Sequence, residues 1–145
     1  MVLFMEFSKR HIRFFEKAAD IAETSNFDRY HIGCVAVLKN KIIAAASNKL
    51  KTHTIQAEYD KYRQFNCLSD PKNIHSLHAE IACINAIKQY DVSYKDIELY
   101  VVRLLKSGGY GLARPCAACM PFIINKGIRK VFYSTNYGFS YEEVC

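Results

Sequence analysis

Two short clusters carry the residues best suited to chemistry: His78-Ala79-Glu80 and Pro115-Cys116-Ala117-Ala118-Cys119. Imidazole and thiolate are zinc ligands, and cysteines three positions apart put both sulfurs on one face of a helix. At a helix start the dipole and free N–H groups favour the thiolate, the form that binds metal. His78, Cys116 and Cys119 thus make a candidate set of three ligands. Zinc prefers four in a tetrahedron, so three from protein leave one position for water, the layout of a catalytic site. One neutral imidazole and two thiolates balance the charge of Zn2+, and the ion still draws the pKa of its water towards neutrality. Glu80 lies in the same turn as His78, within reach of that water without being a ligand, and reads as a proton shuttle. Taken alone, a CxxC also describes a redox pair. Its conjunction with HxE, both at predicted helix starts after β-type runs, selects the metal.

The elements that must position these clusters follow from periodicity. Ser8 to about Thr24 repeats apolar residues (Ile12, Phe15, Ala19, Ala22) at helical spacing. CVAVL (34–38) and IIAAA (42–46), joined by Lys39-Asn40-Lys41, predict a β-hairpin, because Asn tolerates the left-handed backbone of such turns. A second helix is expected from about Leu77, with Leu77, Ile81, Ile84 and Ile87 on one face. ELYVVRLL (98–105) is a nearly unbroken apolar run and reads as a central strand. KSGGYG (106–111) reads as a flexible connection and a third helix as Pro115 to Lys126, stopped by Gly127. KVFYST (130–135) and FSYEEV (139–144), separated by a short turn, predict a terminal antiparallel hairpin. The order implies an α/β layered fold with a mixed sheet.

At 145 residues, half of them apolar, the chain suits one domain over 1–145. The start MVLFMEFSKRH is unlike a signal peptide, and no apolar run approaches the ~20 residues of a membrane helix. A cytoplasmic protein without membrane contact is expected. Six cysteines without a secretory signal argue against a disulfide framework, and Cys34, Cys67, Cys83 and Cys145 read as small apolar side chains. A net charge of +6 favours an anionic partner. Residues 49–76 are basic and aromatic, with a short helix expected from Ala57 to Phe65. A nucleic-acid groove is one reading of that region, and a solvated face with core aromatics is the favoured one. His53, Cys67 and His75 have no fixed spacing to support a second zinc site. His11 and His31 have no case beyond fold or surface.

H-A-E followed by P-C-x-x-C resembles the signature of the cytidine deaminase superfamily. The element order and the segment Tyr30-His31-Ile32-Gly33 before the first predicted strand are similar to that family as well. The resemblance implies a three-layer α/β/α cytidine deaminase-like fold and one Zn2+ held by His78, Cys116 and Cys119. It also implies that Glu80 relays protons while water replaces the amino group of a cytosine, leaving uracil and ammonia. It assigns the sugar to Asn48, the pyrimidine carbonyl to the Ala79 backbone, and a place near the base to Tyr30. Homo-oligomers are common in the family. The implied substrate is a free nucleoside or nucleotide (cytidine, deoxycytidine, CMP or dCMP). A polynucleotide deaminase acting on cytosine or adenine, and a non-catalytic zinc module, are the alternatives. Free-nucleoside enzymes of the family usually have cysteine where this chain has His78. The short turn before FSYEEV leaves no room for the crossover helix of deoxycytidylate and tRNA adenosine enzymes. These two features point to different subfamilies. The Lys106 to Leu112 loop is read as an ordinary glycine connection, with a lid over the site as the other possibility.

Overall fold

A computed structural model of the chain describes residues 2–3, 7–63, 76–88 and 91–144. Its frame is the sheet grown from the predicted hairpin. Strand β2 (His31–Leu38) turns back into β3 (Lys41–Ser47) through Lys39 and Asn40, both with positive φ (50° and 65°). That two-residue turn matches the twist of the flanking strands. Other strands of the description are β1 (Val2–Leu3), β4 (Lys49–Leu50), β5 (Ser76–Leu77), β6 (Glu98–Leu104), β7 (Tyr110–Gly111), β8 (Lys130–Thr135) and β9 (Gly138–Glu143). The main sheet runs β1-β9-β8-β6-β2-β3, with β7 paired to the end of β6. β6 is antiparallel to β2 and parallel to β8, so the sheet is mixed. β8 and β9 form the expected C-terminal antiparallel hairpin.

Helix α1 (Lys9–Ala22) is capped by Ser8 and covers one face of β2 and β6. Its buried side chains Phe14, Phe15 and Ala18 join Val35, Tyr100 and Phe132 in one apolar cluster. Gly33 sets the closeness of this contact: a Cβ there would lie 2.0 Å from the Ala18 carbonyl oxygen and 2.5 Å from the Ala22 nitrogen. On the opposite face, α3 (Ala79–Asn85) lies against β2 and β3 and packs on α4 (Cys119–Lys126). Ile81, Ile84, Leu99, Ile123 and Val131 make the second cluster. Helices on both faces of one sheet give the three-layer α/β/α arrangement expected from the sequence.

Several boundaries differ from the sequence reading. The second expected helix begins at Ala79 with His78 as its N-cap, and Leu77 belongs to β5. The third begins at Cys119, not Pro115. The Met120 N–H already donates to the Cys116 carbonyl at 2.9 Å, so one turn precedes the regular helix. The short helix expected over 57–65 is α2 (Thr54–Tyr59) followed by a tighter turn at Asp60–Arg63. His53 caps α2 by accepting from the Ile55 N–H, and Arg63 is the last described residue of that segment. KSGGYG is a tight hairpin, not a loose connection. The Leu105 N–H donates to the Gly109 carbonyl at 2.8 Å, and β7 returns along β6. No described helix is long and apolar enough to cross a membrane.

Candidate metal centre and active site

His78 and Glu80 come to the site through strand pairing. β4 and β5 are antiparallel, with Lys49 opposite Leu77. That register places Asn48, one residue before β4, across from His78, one residue after β5. The His78 N–H donates to the Gln56 Oε1 at 2.9 Å, and the Gln56 Nε2 donates to Asp60 at 2.7 Å. Gln56 is 2 % exposed, so a buried amide on α2 fixes the backbone that carries the histidine. Nothing in its spacing marks it in the sequence, since α2 begins three residues before the helix expected there.

The Nδ1 of His78 lies 3.4 Å from the Cys116 Sγ and 3.3 Å from the Cys119 Sγ. In a tetrahedral site with bonds of about 2.0–2.1 Å to nitrogen and about 2.3 Å to sulfur, such an edge is about 3.6 Å. The three donor atoms lie within 4.8 Å of one another. One imidazole and two thiols at nearly this spacing fit one zinc ion. Chemistry within the set is asymmetric. A hydrogen bond from Cys119 holds the Cys116 thiol down to about 3, while burial pushes Cys119 up. Glu80 is 4 % exposed, and burial, followed by the charge of Cys116, raises its carboxyl to about 7, with His78 pulling the other way. A carboxyl poised near neutrality can both accept and return a proton.

Above these groups is a 160 Å³ cavity lined by His78, Glu80 and Cys116 together with Tyr30, Asn48 and Arg103. Asn48 is buried and heavily engaged: its Oδ1 accepts from the Ile32 N–H at 2.9 Å and its Nδ2 donates to the Tyr30 carbonyl at 3.0 Å. It therefore clips the Tyr30–Ile32 segment against the site, and retains a second amide hydrogen for other use. Tyr30 packs on Phe27 at 4.8 Å, with the Arg103 guanidinium 5.4 Å from its ring centre. Ala79 is fully buried between ligand and carboxylate. The structure thus brings His78, Ala79, Glu80, Cys116, Cys119, Asn48 and Tyr30 together. His53 faces its own helix, and Cys67 and His75 lie outside the described residues. Arg103 and Arg114, which also line the cavity, were not singled out by the sequence reading. Arg114 forms a two-pronged ion pair with the buried Glu142 of β9, at 2.6 and 3.1 Å.

The model of the cytidine and deoxycytidylate deaminase zinc-binding region matches residues 8–135. Among solved structures, the chain is similar to the dCMP deaminase of the cyanophage S-TIM5. The apo form is 21 % identical with a TM-score of 0.60, over 90 % of this chain and 86 % of that one. The form in complex with dCMP and dUMP is 20 % identical with a TM-score of 0.62, over 90 % and 85 % of the two chains. At such identity the likeness shows the fold. No curated protein matches the chain. The family match spans the region that holds both halves of the donor set, and the chain belongs to the cytidine and deoxycytidylate deaminase zinc-binding family, as a zinc-dependent hydrolytic deaminase.

Proposed function

We propose that the protein replaces the amino group of a cytosine with oxygen in a free nucleoside or nucleotide, CMP and dCMP being the favoured forms. The observation that carries this reading is one cavity lined by Glu80, His78 and Cys116, with the buried Cys119 completing the donor set and Tyr30 and Asn48 on its other walls. When bound, zinc supplies Lewis acidity and activates a water at neutral pH. Glu80 accepts a proton from the attacking water and delivers it to the ring nitrogen. It then takes the proton of the newly added hydroxyl and passes it to the amino group, which leaves as ammonia as the carbonyl forms; one water is consumed per ammonia released. The burial that raises Glu80 suits it to hold the proton between these steps. His78, Cys116 and Cys119 hold the metal, and Gln56 fixes the His78 backbone. Asn48 orders the segment bearing Tyr30, whose ring walls the base, and offers its remaining amide hydrogen to the sugar. The Ala79 backbone takes the pyrimidine carbonyl. Location in the cytoplasm and assembly into homo-oligomers belong to the same reading.

Ammonia release tests it directly, with zinc-loaded protein offered cytidine, deoxycytidine, CMP, dCMP and a cytosine-containing single-stranded oligonucleotide in parallel. Turnover of a monomeric pyrimidine is the expected result. Turnover of the oligonucleotide alone would replace this function with that of a polynucleotide deaminase.

A further inference from the structure

A second cavity, of 370 Å³, opens beside the metal pocket, and Tyr30 and Arg103 form part of the wall of both. Its other lining includes Arg29, His31, Leu105 and Lys106. The metal pocket alone, at 160 Å³, is smaller than the ~300–1,000 Å³ of typical ligand sites, whereas this neighbour is of that size by itself. At about 30 Å³ per water, it has room for roughly a dozen, of which a lone phosphate displaces a few.

Among the described lining residues the charge is of one sign: there are three cations (Arg29, Arg103, Lys106) and no carboxylate. The buried Arg103 Nε has no hydrogen-bond partner among the described residues, and its guanidinium lies against the ring of Tyr30, which leaves its remaining donors for a ligand. Gly111 makes the space for its stem, since a Cβ there would stand 3.1 Å from the Arg103 Cδ and 3.0 Å from a Leu105 methyl. Tyr30 is packed on Phe27 at 4.8 Å and carries the Arg103 guanidinium 5.4 Å from its ring centre, so the ring holds Arg103 at the junction of the two cavities.

We infer that this second cavity is a subsite for a phosphate chain, so that the substrate class extends to pyrimidine nucleoside di- and triphosphates. The base occupies the metal pocket, Arg103 stands at the junction, and Lys106 meets the outer phosphates. The inference rests on the metal pocket being the base site. Each charge-assisted contact to a phosphate contributes enough for at least about tenfold in affinity.

The test is calorimetric titration of zinc-loaded Glu80→Gln protein, which leaves ligands intact, with dCMP, dCDP, dCTP and the dinucleotide d(CpC). The expected order is dCTP tighter than dCDP tighter than dCMP, with at least about tenfold between the first and last. Lys106→Glu, at an exposed position, reduces the dCTP advantage by about tenfold. Equal binding of the three mononucleotides overturns the inference and leaves the base site standing. A gain for d(CpC) without one for dCTP overturns it in favour of a neighbouring nucleotide. Binding of none of the four overturns it together with the base-site assignment.

Discussion

Cys116 and Cys119 show how a residue's chemistry is set by its surroundings: two thiols on one turn are driven in opposite directions, one by a received hydrogen bond and one by burial. The same holds for the amides near them. Gln56 and Asn48 look unremarkable in sequence, yet each satisfies backbone groups that carry site residues. Replacing Gln56 by alanine leaves the half-buried His78 N–H without its Gln56 acceptor and loosens the ligand; zinc affinity should fall by about tenfold. Competition with a chelating dye measures this, and an unchanged constant would show that Gln56 has no hold on the metal. Asn48→Ala removes partners from the Ile32 N–H and the Tyr30 carbonyl together. It should cost about 1–3 kcal/mol in urea denaturation, and a loss of substrate binding alone would restrict Asn48 to the sugar.

Among the elements, Gly33 controls the fit of α1 on the sheet. Gly33→Ala drives a methyl into the Ala18 carbonyl and the Ala22 backbone, atoms that move only if the helix does. The expected loss is about 3 kcal/mol or more; a variant as stable as the parent would mean that α1 can shift outward freely. Elements of strong pattern were legible in the sequence: the Lys39-Asn40 hairpin, the apolar strand at 98–104 and the C-terminal β8–β9 pair all appear where alternation or turn chemistry placed them. The ligand triad and Glu80 were legible because metal chemistry restricts residue type and spacing together. The β4–β5 pairing that brings Asn48 to His78 was not, since two-residue strands leave no period to read. The same is true of Arg103, which looks like one more residue of an apolar strand until β7 folds back beside it. Glycines at 108–111 suggested a loose connection because composition does not reveal the backbone bonds that close that hairpin.

Across the whole molecule, the segment leading into the metal cysteines is tied to the C-terminal hairpin by Arg114 and Glu142. The hydrogen bonds from Arg114 are the largest influence holding the Glu142 carboxyl below its ordinary range. A carboxyl lowered on folding adds stability above its unfolded pKa, near 4.3, and loses it as pH falls through the folded value. The gain is at most about 1 kcal/mol, because the Arg114 side chain is 48 % exposed. Urea denaturation of the wild type and Glu142→Gln should therefore show a constant gap from pH 7 to about 5 that narrows as pH falls below about 4. A gap that does not narrow below about pH 4 would place the stabilisation elsewhere. These ties, the Gln56 contact and the strand register converge on a single arrangement, a metal held by three side chains with one buried carboxyl beside it. The most direct test of that account is Glu80→Gln, assayed for zinc content and for ammonia release from the best monomeric substrate in the same preparation. The account predicts one zinc per chain, as in the parent, and a fall in turnover of about 10²-fold or more. Turnover at the parental rate with zinc in place would contradict it.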